Sequence, residues 1–173
     1  MSKFVFIGLT SLVFISGLAF FFATSDKPLP ILKSSENQNT SAEEPADAEI
    51  RAKFLIYTNG TRRDFSDSRY HNLSNEVFIS PDKPSEVVVL KEKTTWNDFF
   101  MTLPMKITKE CLTTGTGQVF CSNETKSLKF YINDILSPGA LTREIEDRDR
   151  LLISFGSEVE DKIELQLKTL SEL

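Results

Sequence analysis

The sequence predicts a mixed α+β head carried behind an apolar N-terminal helix and an acidic tether. Three observations lead to that reading. Phe4–Ala23 runs for 20 residues without a charge. Residues 24–49 contain no aromatic side chain, three prolines, and six acids against two bases. From Ile50 onward, short β-rich runs alternate with turn signals, and two stretches switch to helical spacing.

The first stretch, FVFIGLTSLVFISGLAFFFA, carries six of the chain's 14 phenylalanines. At about 1.5 Å per residue it spans roughly 30 Å, the thickness of a bilayer's hydrocarbon core. A cleaved signal peptide has an apolar region of about 7–15 residues and ends in small side chains. This one closes on Phe20, Phe21 and Phe22. Residues 1–23 are therefore expected to stay as a signal anchor, a single transmembrane helix. Lys3 and the amino terminus put positive charge on the short side, which the positive-inside rule assigns to the cytoplasm. The expected location is the cell membrane, single-pass, with residues 50–173 outside the cytoplasm. The sequons at Asn39, Asn59, Asn72 and Asn123 agree with a glycoprotein in that topology.

Residues 24–49 cannot bury enough apolar surface to offset their ordering entropy. They are expected to form a disordered tether with a coil span of about 25–30 Å. The net charge of the whole chain is −5 and its pI about 5.0, which argues against nucleic acid as a partner. Residues 50–173 hold 17 bases and 19 acids, so most of the acidity belongs to the tether.

The head's elements follow in order. Ala52–Thr58 reads as a strand ending at Asn59-Gly60, a hairpin turn, with Arg62–Phe65 returning. Glu76–Ser80 and Glu86–Leu90 read as strands around a Pro-Asp-Lys-Pro turn. Thr95 then caps a short helix, with Asp98 in the capping-box position and Trp96, Phe99, Phe100 and Leu103 on one side, stopped by Pro104. Met105–Thr108, the arms of a Cys111–Cys121 hairpin, Leu128–Ile132 and Leu151–Phe155 complete the strands. Ser157 is expected to cap a final amphipathic helix, with Val159, Ile163, Leu167 and Leu170 on its packed face.

Two cysteines carry the most chemistry. A hairpin through Gly115 and Gly117 brings Cys111 and Cys121 into disulfide range, and an exported compartment permits the bond. Closing that loop should stabilise the fold by ~2–3 kcal/mol. A redox-active pair and free thiols are the other readings. The pair lacks the Cys-x-x-Cys spacing that lowers a thiol pKa. His71 reads as a solvated loop residue, Glu144–Arg150 as a solvated turn, Arg62-Arg63, Lys91 and Lys93 as surface charge, and Trp96 with its Phe neighbours as core. One His and two Cys exclude a multi-ligand zinc site made of those residues. No catalytic, cofactor-binding or metal-ligating set is expected.

Thr95–Gly156 resembles the ubiquitin-like β-grasp domains of the soluble-ligand-binding type, including the transcobalamin-like C-terminal domain. The pieces that carry the resemblance are TWNDFFMTLPM, LKFYIND and EDRDRLLISFG. Asn133-Asp134 and Glu146-Asp147-Arg148-Asp149 stand where those domains carry glycine-bearing turns. The whole head is similar to small membrane-anchored exported proteins of archaea and bacteria. The resemblance implies a β-grasp-like mixed sheet around the central helix, and it does not fix a function. Two function classes follow. One is a membrane-tethered extracytoplasmic binding or interaction module without catalytic activity, taking an envelope protein, a glycan or a small ligand. The other is a thiol–disulfide oxidoreductase using Cys111 and Cys121.

Overall fold

The computed structural model describes residues 49–173. The fold is α+β, with a mixed sheet and two α-helices, one central in the chain and one C-terminal. The span at Phe4–Ala23, nearly all of the tether, and Asn39 lie outside the described residues. Among the described residues, no helix is long and apolar enough to cross a membrane.

Two strands make the middle of the sheet. Strand β1 (Ile50–Thr58) runs parallel to β10 (Arg150–Gly156), with Phe54 opposite Leu151 and Thr58 opposite Phe155. Leu151–Gly156 are all buried, so β10 is covered on both faces. That is why LLISF and KFLIYT read as nearly continuous apolar runs and not as alternation. On one side lie β4 (Glu86–Val89) and β3 (Val77–Ile79); on the other lie β8 (Ser127–Ile132) and β9 (Ile135–Leu136).

Asn59 and Gly60 have φ of 50° and 76°, the left-handed pair that a two-residue hairpin turn needs. The returning strand β2 is only Thr61–Arg62, shorter than the expected Arg62–Phe65. The reason is competition for one edge. β2 pairs with β1 at Tyr57 and Thr58, while β4 already occupies Ile50–Lys53, and Phe54 donates to the Ser85 carbonyl at 2.9 Å. After Arg63 donates to the Ile56 carbonyl at 2.8 Å, the chain must leave the sheet. Asn133 and Asp134, with φ of 50° and 70°, form a second turn of this kind. It sends the chain back as β9, a strand absent from the sequence reading.

Helix α1 (Trp96–Thr102) covers one face of the sheet. Its capping box is complete: the Thr95 hydroxyl accepts from the Asp98 amide at 3.2 Å, and the Asp98 carboxylate accepts from the Thr95 amide at 2.9 Å. Trp96, Phe99 and Phe100 are all buried and meet the alternate residues Ala52, Phe54, Ile56, Leu151, Ile153 and Phe155. The Phe54 ring stands edge-on to Phe65, Phe99 and Phe100, with centroids 4.9, 5.3 and 6.1 Å away. Truncating one of these aromatics to alanine should cost about 3–5 kcal/mol.

Helix α2 (Glu160–Ser171) covers part of the other face, where Ile163 and Leu170 pack with Leu55, Tyr57 and Leu152. Two expectations are corrected here. Ser157 is exposed and caps nothing; Val159 is the N-cap residue and offers no side-chain bond. Residues 157–159 are used in turning from the sheet into the helix, so Glu160 becomes the first helical residue. The packed face is consequently Ile163, Gln166 and Leu170, with Leu167 half-buried and Val159 at 66% exposure.

A second sheet of three short strands, β5 (Lys106–Ile107), β6 (Cys111–Thr113) and β7 (Val119–Cys121), sits beside the first. Leu112 and Ile107 join the main core, and the Phe120 ring packs on Phe155 at 5.4 Å.

Candidate functional site

The cysteines lie opposite each other on β6 and β7, with Cα atoms 4.1 Å and sulfurs 2.08 Å apart, at disulfide distance. The spacing fits a non-hydrogen-bonded antiparallel pair, the closer of the two kinds. Cys121 is exposed and Cys111 half-buried. Neither stands at a helix N-terminus, the usual means of stabilising a thiolate.

The sequons within the described residues are all exposed. Asn59 is in the β1–β2 turn, and its Oδ1 accepts from Lys126 Nζ at 2.8 Å. Asn72 is in a turn with φ of 51°. Asn123 Oδ1 accepts from the Thr125 amide and hydroxyl and from the Lys126 amide, at 2.9, 3.0 and 3.0 Å.

Two residues read as solvated have structural duties. Asp149 is 2% exposed. Its carboxylate accepts from Asn133 Nδ2 at 2.8 Å and from the Glu146 amide at 3.1 Å. Asn133 Oδ1 in turn accepts from the Arg150 amide at 3.0 Å, so the acidic run is tied to the β8–β9 turn. His71 is half-buried, with Nε2 2.8 Å from the Phe65 carbonyl. Among the described residues, no group of three His, Cys, Asp or Glu side chains is placed to hold a metal ion.

A trough of linked recesses is the most promising site. It arises where β2 leaves the sheet beside the β3–β4 turn. The first recess, about 430 Å³, is bordered by Lys53, Arg62, Lys83, Ser85 and Glu86. A second, about 240 Å³, shares Arg62 and Ser85 and continues to Arg63 and Phe65. A third, about 130 Å³, shares Arg63 and Phe65 and ends at Tyr70, Thr114 and Thr116. Gly115 closes that end. A Cβ there would stand 2.9 Å from the Pro104 carbonyl oxygen and 3.2 Å from the Tyr70 hydroxyl, so the close approach requires glycine.

The trough is cationic. Lys53, Arg62 and Arg63 form no salt bridge with a carboxylate among the described residues, and only Lys83 is paired, with Glu86 at 3.2 Å. Glu86 also pairs with Arg51. The other acid, Asp64, accepts from the Ser66 amide at 2.9 Å and hydroxyl at 2.8 Å, and these bonds hold its carboxyl below its usual pKa. Arg62 donates to Ser85 Oγ at 2.8 Å. The Arg63 guanidinium lies 5.1 Å from the Phe120 ring centroid, while its Nε is buried without a partner. Sequence reasoning treated Arg62-Arg63 as ordinary surface charge. The available signal was a basic doublet just after a tight hairpin turn.

In comparisons with protein-family models, curated proteins and solved structures, the chain matches none.

Proposed function

We propose that the protein is a membrane-tethered extracytoplasmic binding module, with residues 1–23 as its anchor, residues 24–49 as its tether and a β-grasp-like head. The observation that carries the binding role is the cationic trough, in which Lys53, Arg62 and Arg63 lack carboxylate partners among the described residues and only Lys83 is paired. The β-grasp part is supported by α1 lying across one face of a mixed sheet, with the first and last long strands parallel at its middle. The anchor is supported by the uncharged 20-residue run at Phe4–Ala23. The test is protease digestion of intact cells expressing the full chain, followed by N-terminal sequencing of the retained fragment. The head should be digested without lysis and the N-terminus should precede Phe20. Protection until lysis, or a mature terminus at or beyond Phe20, overturns the topology.

A second reading is a thiol–disulfide oxidoreductase. The observation favouring it is the exposure of Cys121 in a pair already at disulfide distance. Insulin reduction by the purified protein, compared with its double-serine variant, separates the two readings. Turnover that depends on Cys111 and Cys121 would put the redox role first.

A further inference from the structure

We propose that the trough binds an acidic glycan, a polysaccharide segment whose sugar rings carry carboxylates; this rests on the binding-module reading above. The charge comes first. Four bases border the linked recesses, and the two acids beside them are already engaged, Glu86 by Arg51 and Lys83 and Asp64 by Ser66. Leu173 supplies part of the first recess's rim.

Arg63 is held ready for a carboxylate. Its Nε is buried without a partner, its guanidinium lies over Phe120, and its terminal nitrogens make no hydrogen bond to a described residue. A planar guanidinium fixed in this way presents two parallel N–H groups, the geometry that a carboxylate accepts. Arg62, steadied by Ser85, stands next along the chain and lines the two larger recesses. An extended ligand with repeated carboxylates can therefore meet successive cations.

The rest of the lining distinguishes a glycan from an acidic peptide. The third recess carries the Thr114 and Thr116 hydroxyls, hydrogen-bonded to each other at 2.9 Å with lone pairs left over, and Tyr70, whose ring packs edge-on to Phe65 at 5.0 Å. Such groups match sugar hydroxyls and the apolar edge of a sugar ring. A peptide would bring main-chain N–H groups that need acceptors, and an unmatched buried donor carries the cost of its lost hydration. The trough is rich in donors, and its two carboxylates are in use. A ligand rich in oxygen acceptors, with hydroxyls that can turn either way, fits it better.

The test is titration calorimetry of the full chain in detergent with three probes: oligogalacturonate, polyglutamate and neutral dextran. Oligogalacturonate should bind, and its affinity should fall between about 50 mM and about 300 mM NaCl as the charges are screened. Arg62→Gln should weaken it by about tenfold, the effect of losing one charge-assisted contact. Arg63→Lys keeps the charge but loses the planar fork and should weaken it similarly, with the melting temperature showing that the fold is intact. Lys168→Ala, on α2, should leave it unchanged. Equal or tighter binding of polyglutamate overturns the glycan assignment. Equal binding of dextran, no binding of oligogalacturonate, or unchanged affinity in both arginine variants overturns the site. If oligogalacturonate fails while native membranes still yield a specific partner on the wild-type head, the glycan inference falls and the binding-module reading stands.

Discussion

Replacing both Cys111 and Cys121 with serine tests the disulfide hairpin as scaffold against the hairpin as chemistry. The cysteines are 10 positions apart, so the bond closes an 11-residue loop. In the chain-entropy model such a loop confers about 2.8 kcal/mol at 25 °C by restricting the unfolded chain. The folded hairpin keeps its other supports. Leu112 is fully buried, Phe120 packs on Phe155, and Cys111–Thr113 stays paired with Val119–Cys121. The double variant should therefore fold, with its stability reduced by about that amount and its melting temperature lowered by about 10 °C for a head of this size. The measurement is urea and thermal unfolding of the oxidised protein and the double variant under the same conditions, with m fitted separately for each. Binding at a temperature where both are folded should be equal. A fall of less than about 3 °C would refute the reasoning, since a loop that constrains the unfolded chain cannot be removed so cheaply.

Other substitutions probe single features. Asp149→Ala leaves the Glu146 amide and Asn133 Nδ2 without their acceptor and should destabilise by about 2–4 kcal/mol in urea unfolding. Thr95→Ala removes the cap of α1 and should cost about 0.5–2 kcal/mol by the same measurement. Asp98 has its pKa lowered from the ordinary 3.8, first by the Thr95 hydroxyl and then by the Thr95 amide, so its stabilisation is present above 3.8 and is lost as pH falls through the lower folded value. Asp98→Asn should accordingly flatten the acid limb of a stability–pH curve below about pH 4. Gln166 is 6% exposed and its Oε1 has no partner, so Gln166→Met should raise stability by about 1 kcal/mol.

The legible parts of the fold were those fixed by local chemistry. The Thr95–Asp98 capping box, the Asn59-Gly60 turn and the paired cysteine arms depend on residues close together in sequence, and each is found where its motif stands. The start of α2 went wrong for a reason of the opposite kind. Ser157 with Glu160 has the form of a capping box, yet β10 continues to Gly156, and a strand cannot enter a helix on another layer without a connecting turn. The local signal lost to tertiary geometry, and the packed face rotated from Val159 to Gln166.

The trough was illegible for a deeper reason. Lys53, Arg62 and Lys83 belong to three separate stretches of chain, and each is an ordinary surface base when read alone. They meet because β4 and β2 share one edge of β1, β4 at Ile50–Lys53 and β2 at Tyr57–Thr58. That sharing cuts β2 to two residues, frees Arg63 from the sheet, and leaves a recess between the two short partners. Had the expected strand continued to Phe65, it would have needed the Phe54 amide, which already donates to the Ser85 carbonyl just before β4. Phe65 instead turns into the core against Phe54, and the doublet beside it stays at the trough. The same competition thus explains the failed strand and the candidate site. It also says where a redesign would close the trough: lengthening β2 at the expense of β4 would return Arg63 to a sheet position and separate the cations.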